Sequence, residues 1–180
     1  GSEHGAMVYN AQPFMMANLR LGSNHLADDL NGIGGMNTDL GDPVYAISLG
    51  RVIYAAYAGE GWGNMVIIEH AIGDGQSRKY VQSVYAHLKE FYVLVGSIVR
   101  RGEVIGEVGN ADGKYPAHLH FEMRASNVTD PGRGYSKKSL NRMDPTLTIK
   151  KWRGVDNDVL NLSPSVLESE ENLETLEFDF

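Results

Sequence analysis

The amino-acid sequence predicts an all-β, mostly antiparallel domain. Six segments rich in Val, Ile and Tyr lie between residues 44 and 124, and Gly or Asp-Gly turns separate most of them. The 21 glycines and 9 tyrosines of the 180-residue chain also favour strands joined by tight turns. No convincing helical period appears before residue 150, so we expect the domain to end near Trp152.

In chain order, the first predicted strand comes only after a long irregular start. Residues 1–24 show few clear periods, and Pro13 interrupts their one apolar stretch. Residues 31–42 are predicted to form a loop because glycines recur through them. Strands are predicted at residues 44–47, 50–57, 65–70, 80–88, 104–108 and 117–124, with an extended connection containing two turns over residues 91–106.

Composition limits the possible functions. The chain has no Cys, so it can form neither a disulfide nor a thiolate zinc site, and any metal ion must be bound by His and carboxylate side chains. The net charge of −7 lacks the basic excess that nucleic-acid binding needs, so no nucleic-acid partner is expected. No apolar run approaches the roughly 18 residues that span a bilayer, and no membrane span is expected.

The two ends of the chain differ from its central part, residues 22–153, which we expect to form the functional domain. Residues 1–21 are expected to be an N-terminal extension that begins with a processing or expression scar, and we expect that a signal segment has been removed. Residues 154–180 contain eight acidic residues and no Lys or Arg. They predict an acidic C-terminal tail, disordered or with a short helix that begins at the capping pattern of Ser165 and Glu168.

The strongest functional signal lies in residues 117–124. As a strand, this segment places His118, His120 and Glu122 on one face and apolar residues on the other. Two imidazoles on one face, two residues apart, can approach the same point, which suits a metal ion and a reacting group. The simple alternative is a strand whose polar face points to solvent.

Two other segments add candidate residues. His25 is followed four residues later by Asp29, and this spacing lets an imidazole and a carboxylate converge from one side of a helical turn or tight loop. His87 ends a predicted strand, on the face opposite its apolar neighbours Ala86 and Leu88, which are expected to face the core. If no site used them, four imidazoles would be exposed or buried at a cost.

Taken in order along the chain, these motifs resemble those of the lysostaphin-type (LytM-like) zinc metalloendopeptidases. The resemblance covers roughly residues 22–145 and keeps its order, which makes it specific. It rests on H-x-x-x-D at His25 and Asp29, DLGDPVYA at residues 39–46, GNMVIIEH at 63–70, YAHL at 85–88 and HLHFE at 118–122.

The resemblance implies a compact β-sandwich or barrel-like fold with a groove above the sheet. It implies that His25, Asp29 and His120 bind Zn²⁺ and that His87 and His118 are the catalytic pair. It further implies a peptidoglycan peptide as substrate and an extracytoplasmic location, in the periplasm, the cell envelope or the medium. Zinc with three protein ligands and an open fourth position suits peptide hydrolysis. Which histidine is the general base stays open, as do the bond cleaved and the oligomeric state.

Two other functions remain as alternatives. A non-catalytic relative that binds the wall or activates a partner hydrolase would typically lack one or more of these residues, whereas all five positions are filled here. A histidine phosphocarrier is disfavoured by Asp29, because a carboxylate repels a phosphohistidine but can bind zinc.

A few other residues have weaker functional signals. His70, at the end of an apolar strand, is predicted to be structural. Glu122 is expected to support the histidines from behind or to form an external salt bridge, and not to act in catalysis. Aromatic residues that could line a groove, or pack in the core or at its rim, are Tyr57, Trp62, Tyr85 and Tyr115.

Overall fold

A computed structural model describes residues 7–72 and 79–153 of the chain. Within these ranges the chain forms fourteen strands and one helix. They are β1 (Val8–Gln12), β2 (Ala17–Asn18), β3 (Ser23–His25), β4 (Asp28–Gly32), β5 (Pro43–Tyr45), β6 (Gly50–Tyr57), β7 (Asn64–Ile72), β8 (Lys79–Leu88), β9 (Glu90–Phe91), β10 (Ile98–Val99), β11 (Val104–Glu107), β12 (Leu119–Arg124), β13 (Tyr135–Ser136), β14 (Arg142–Met143) and α1 (Pro145–Trp152).

The main sheet has eight strands, which come from both ends and the middle of the described chain. Its strand order is β1-β4-β12-β8-β7-β6-β10, and β14 pairs with the end of β12. Two three-stranded sheets, β5-β11-β9 and β13-β3-β2, complete the described strands. Every pairing between these strands is antiparallel, which confirms the predicted fold class.

The long strands agree best with the sequence prediction. The prediction for residues 50–57 coincides with β6, and those for 65–70 and 80–88 lie within β7 and β8. The irregular start contains β1, β2 and β3, whose two to five residues are too short to show a period. β1 pairs with β4 at the edge of the main sheet, although its sequence predicts an N-terminal extension.

Helix α1 begins before residue 150, where no helical period is evident. The Asp144 side chain accepts a hydrogen bond from the backbone N–H of Leu147, and Pro145 occupies the first turn, so two local signals start the helix. Its eight residues are too few to show a clear apolar stripe. No helix formed by the described residues is long and apolar enough to cross a membrane. The capping pattern at Ser165 and Glu168 lies outside the described residues.

The alternation predicted for residues 117–124 is confirmed. Phe121 and Met123 belong to the larger apolar core on one face of the main sheet, while His120 and Glu122 lie on the other face. That other face carries a smaller apolar cluster in which Ala86 pairs in register with His120. The polar side chains of β12 are therefore held on a rigid, well-packed sheet.

The facing predicted for the end of strand 80–88 is only partly correct, because Leu88 faces the larger core as expected whereas Ala86 does not. Tyr85 lies in the larger core, where its hydroxyl accepts a 3.0 Å hydrogen bond from the backbone N–H of Ile47, and Leu88 joins the same core. Ala86 faces the opposite side. His87 has φ +63, a left-handed conformation that is uncommon for residues other than glycine. This conformation breaks the alternation between Ala86 and Leu88.

Candidate metal centre and active-site groove

His25, Asp29 and His120 bring three donor atoms to one point. Nε2 of His25 lies 3.3 Å from Oδ1 of Asp29, and Nδ1 of His120 lies 3.0 Å from Oδ1 of Asp29 and 3.3 Å from Nε2 of His25. Around a tetrahedral ion with bonds of about 2.0 Å, ligand atoms are about 3.3 Å apart. The three donors therefore fit one metal ion without rearrangement.

Two strand relationships explain this convergence. β3 ends at His25 and β4 begins at Asp28, so the four-residue spacing from His25 to Asp29 is made by a tight connection between strands rather than by a helical turn. β12 pairs with β4 so that His120 lies opposite Asp29. The third donor therefore reaches the first two through the register of the sheet, which no local sequence pattern encodes.

The two histidines of this cluster each use their other nitrogen to bond the protein. Nδ1 of His25 donates to the backbone carbonyl of Gln12 at 3.0 Å, and Nε2 of His120 donates to Oε1 of Glu122 at 3.2 Å. Because these nitrogens carry the ring proton, the other nitrogen of each ring, which faces Asp29, keeps a lone pair in the neutral form. A histidine needs this arrangement to bind a metal ion.

Charge in the cluster also favours a cation. Burial would raise the pKa of Asp29, but hydrogen bonds with His120 and His25 outweigh it and hold that pKa well below its usual range. Burial would lower the pKa of His120, but hydrogen bonds to Asp29 and Glu122 outweigh it and raise that pKa to about 9. Carboxylates on both sides of His120 therefore stabilise positive charge at this place.

Glu122 supports His120 from inside the protein and does not form an external salt bridge. Its side chain is fully buried, and Oε2 accepts hydrogen bonds from Nε of Arg124 at 2.6 Å and Nε of Arg142 at 3.1 Å. Burial would raise the pKa of Glu122, but the hydrogen bond with His120 and the two arginine charges lower it to about 2. The carboxylate is therefore ionised and held in place.

His87 and His118 form a second pair beside the cluster. Their ring centroids are 4.8 Å apart, and Nε2 of His118 lies 3.6 Å from Oδ1 of Asp29. Nδ1 of His87 donates to the carbonyl of Trp62 at 3.1 Å, and Nδ1 of His118 donates to the carbonyl of Pro116 at 2.8 Å. In the neutral form of either ring, Nε2 therefore carries the lone pair. Burial, aided by the charges of His120 and His118, lowers the pKa of His87 to about 3, so this ring is neutral at pH 7.

All five residues that the sequence predicts as site residues line one groove of about 320 Å³. Trp62 and Tyr115 also line it: the Trp62 ring lies 5.2 Å from that of His120, and the Tyr115 ring 5.1 Å from that of His87. Of the other aromatic candidates, Tyr85 is buried in the core and Tyr57 is exposed outside the groove lining.

His70 lies apart from this groove. Its Nδ1 donates to the carbonyl of Leu49 at 2.8 Å and its Nε2 bonds the hydroxyl of Ser83 at 2.7 Å. The ring is buried, and burial lowers its pKa to about 4. Both nitrogens are satisfied within the protein, as a structural histidine requires.

Sequence reasoning misses two residues that line the groove, Gln12 and Tyr135, and one that supports it through Glu122, Arg142. Gln12 acts through its backbone carbonyl, which carries no side-chain signal, and it lies in the irregular start of the chain. Tyr135 lies in β13, opposite His25, and its hydroxyl donates to Oε1 of Gln12 at 3.2 Å. Arg142 comes from β14, which is only two residues long. In each case a contact between distant segments gives the residue its place.

An antiparallel sheet that carries a His-Asp-His cluster and two further imidazoles in an open groove has the architecture of a metallopeptidase. The chain belongs to peptidase family M23, whose model matches residues 31–131. The matched range includes His87, His118 and His120, whereas His25 and Asp29 lie just before it.

Similar proteins agree with this family. Lysostaphin from Staphylococcus simulans is 33% identical over 93 residues, which are 51% of this chain and 17% of lysostaphin. The crystal structure of its catalytic domain covers 81% of this chain and 92% of that domain, with a TM-score of 0.57 at 22% identity, and thus shares the fold. The DD-carboxypeptidase/endopeptidase Mpg from Neisseria meningitidis is 42% identical over 84 residues, 47% of this chain and 17% of Mpg.

A zinc-containing peptidase from Vibrio cholerae is also similar in structure. It aligns over 68% of this chain and 34% of its own, with a TM-score of 0.52 and 25% identity. The matched part of this chain amounts to less than a fifth of the length of lysostaphin or of Mpg. The family assignment therefore concerns the domain described above.

Proposed function

We propose that the chain is a zinc-dependent endopeptidase that hydrolyses peptide bonds in the stem or cross-link peptides of bacterial peptidoglycan. The single observation that carries this proposal is the convergence of His25, Asp29, His120, His87 and His118 on one groove. The peptidoglycan substrate and an extracytoplasmic site of action follow from the resemblance to lysostaphin-type enzymes.

The donor set suits zinc. Two neutral imidazole nitrogens and one carboxylate oxygen, from His25, His120 and Asp29, are ligands that catalytic zinc sites use, and all three residues line the groove that a substrate would enter. Zinc bound by such a set acts as a Lewis acid and lowers the pKa of water. The similarity to a zinc-containing peptidase supports the same choice of metal.

His118 and His87 would transfer the proton that the attacking water loses. Each bonds a backbone carbonyl through its Nδ1–H, so in the neutral ring Nε2 is the atom that accepts a proton. Either ring has the acceptor atom that a general base needs, but the lowered pKa of His87 makes that ring a weaker base than an ordinary histidine. Once protonated, the ring that acts as the base becomes a donor that can stabilise the developing oxyanion or protonate the leaving amine.

The alternatives fit these contacts less well. A non-catalytic wall-binding or hydrolase-activating relative has no need for two further acceptor imidazoles beside a complete His-Asp-His cluster. A histidine phosphocarrier would bring a phosphoryl group against Asp29, whose Oδ1 lies within 3.0 to 3.6 Å of His120, His25 and His118. An ionised carboxylate at that distance repels a phosphoryl dianion.

The test combines metal analysis with digestion of purified cell wall. We expect about one zinc ion per chain. We also expect release of soluble muropeptides, identified by mass, that a chelator stops and added zinc restores. Zinc without release of muropeptides would favour the non-catalytic alternative. A protein without zinc that accepts phosphate on histidine would favour the phosphocarrier.

A further inference from the structure

Two asparagine side chains hold the backbone of Ala117, the residue that immediately precedes His118. The backbone N–H of Ala117 donates to Oδ1 of Asn37 at 2.8 Å, and Nδ2 of Asn31 donates to the backbone carbonyl of Ala117 at 3.0 Å. Asn31 is buried near the end of β4, and Asn37 lies in the glycine-rich loop that follows it. We call Asn31 and Asn37 the asparagine clamp.

The clamp bonds the backbone just beyond the point where the hydrogen bonds between β4 and β12 end. The ladder between β4 and β12 ends at the pair of Leu30 and Leu119, so His118 lies just outside the strand. Beyond that pair, the side chains of Asn31 and Asn37 form the hydrogen bonds to the backbone C=O and N–H of Ala117, which is fully buried. Buried backbone groups without partners are costly, so these two bonds fix the path of the chain into His118.

Two further hydrogen bonds connect the position of Ala117 to the orientation of the His118 imidazole. The backbone N–H of His118 donates to the carbonyl of Gly109 at 3.2 Å, and its own Nδ1 donates to the carbonyl of Pro116 at 2.8 Å. The carbonyl of Pro116 belongs to the peptide group whose N–H is that of Ala117. The clamp therefore holds the hydrogen-bond partner that orients the ring of His118.

The loop that carries Asn37 is itself braced. Oδ2 of Asp39 accepts a 3.0 Å hydrogen bond from the backbone N–H of Gly32, and the N–H of Leu40 donates to the carbonyl of Asn37 at 3.2 Å. At Gly34, a Cβ atom would lie 2.7 Å from Oγ1 of Thr38, so the loop packs closely on itself. Asn37 is thus presented from a defined turn although its side chain is exposed.

We propose that Asn31 and Asn37 are positioning residues for His118. The inference rests on the proposed function, in which His118 takes part in proton transfer. A displacement of about 1 Å at a reacting group can cost on the order of 10²-fold in rate. Neither asparagine touches the groove, so the clamp acts on turnover through the histidine and not on substrate binding.

The two asparagines differ in the hydrogen-bonding group that they must supply. Asn37 faces an N–H and needs only an acceptor oxygen, which Asp also provides. Asn31 faces a carbonyl oxygen and needs a donor, which an ionised Asp lacks. The clamp therefore predicts that Asn37→Asp retains function and that Asn31→Asp loses it. A role based on size or loop composition alone predicts no such asymmetry.

The test measures kcat, KM, zinc affinity and thermal stability for five variants of the full chain. We expect Asn31→Ala and Asn31→Asp to lower kcat by roughly 10 to 100-fold with KM and zinc affinity unchanged. Asn37→Ala should lower kcat by about tenfold, since water can partly replace its exposed oxygen, and Asn37→Asp should restore it. Ile33→Ala, which truncates an exposed side chain of the same loop, is the matched control and should behave as the wild type.

A second measurement does not depend on activity. Amide hydrogen exchange should show that Ala117 is protected in the wild type and in Ile33→Ala, and that it exchanges faster in Asn37→Ala. The imidazole ¹⁵N shifts of His118 should report a single Nδ1–H tautomer that Asn31→Ala or Asn37→Ala turns into a mixture. A wild type that cleaves no wall peptide would overturn the proposed function, while these signals would still test the clamp.

The clamp would be overturned by wild-type kcat together with wild-type Ala117 protection in Asn31→Ala and Asn37→Ala. It would also be overturned if Asn37→Asp lost as much activity as Asn37→Ala. A drop in zinc affinity equal to the drop in kcat for Asn31→Ala would likewise contradict it, because Asn31 would then act through Asp29 on the same strand.

Discussion

Glu122 accepts a 3.2 Å hydrogen bond from Nε2 of His120, at the end of that ring away from Asp29. The Glu122 side chain has no solvent exposure, and its other oxygen binds two arginines. His120 therefore sits between two carboxylates, one that would share the metal ion and one that fixes the tautomer of the ring. Carboxylates behind a ligating histidine usually contribute 10 to 100-fold to metal affinity.

We expect Glu122→Gln to bind zinc about 10 to 100-fold more weakly than the wild type, since the neutral amide polarises His120 less. Competition with a chromophoric chelator measures the affinity. Glu122→Ala should in addition lower the free energy of unfolding by about 3 to 5 kcal/mol, because it leaves the buried guanidinium groups of Arg124 and Arg142 without their carboxylate. Equal zinc affinity in all three proteins would show that Glu122 has only a structural role.

The proposed roles of the histidines predict a separation between metal binding and turnover. His120→Ala should lose zinc and activity together, because it removes one of three donors. His118→Ala and His87→Ala should keep zinc and lose turnover by roughly 10² to 10⁴-fold, the usual contribution of proton transfer. Zinc content by mass spectrometry and muropeptide release give the two measurements. Loss of zinc from His118→Ala would refute the separation.

The sequence predicts part of this site well because two of its signals can be read along the chain without knowledge of distant contacts. The alternation in β12 fixes the face of His120, and the order of the five motifs carries the family resemblance. The sequence does not predict the conformation of His87, because a positive φ at a non-glycine residue is stabilised by surrounding contacts and leaves no pattern. Nor does it predict the roles of Gln12, Asn31 or Asn37, which depend on contacts between distant segments.

Stability should fall in mild acid because of His70. The buried ring has a pKa of about 4, below its ordinary value of 6.5, so between pH 6.5 and 4 the unfolded chain takes up a proton that the folded chain does not. The stabilisation is complete above pH 6.5 and is lost as the pH falls to about 4, by about 3 kcal/mol.

Chemical unfolding of the metal-free protein at pH 7.5 and at pH 4.5 measures this effect. The control is His70→Gln, whose amide can bond the Leu49 carbonyl and the Ser83 hydroxyl without titrating. We expect its stability at pH 7.5 to be lower than that of the wild type and its loss on acidification to be smaller. Identical losses in the two proteins would mean that other groups cause the acid dependence.

Gly109 lies between the two histidines of the second pair. Its carbonyl accepts the backbone N–H of His118 at 3.2 Å, and a Cβ at this position would lie 2.3 Å from the carbonyl oxygen of His87 and from the backbone N–H of Lys89. These are backbone atoms, which cannot relieve the clash by changing rotamer as a flexible side chain could. Gly109→Ala must therefore move the chain at His87, at His118 or at both.

We expect Gly109→Ala to reduce turnover by on the order of 10²-fold while zinc binding is retained, because the zinc donors come from β3, β4 and β12 and not from this contact. Gly113→Ala is the matched control: its φ of +82 adds a strain of about 1 to 2 kcal/mol, but the added methyl group meets no atom within 4 Å. Thermal unfolding, zinc content and kcat for both variants separate strain from displacement. If Gly113→Ala lost as much turnover as Gly109→Ala at equal stability, the close approach of Gly109 to His87 would have no part in positioning the histidine pair.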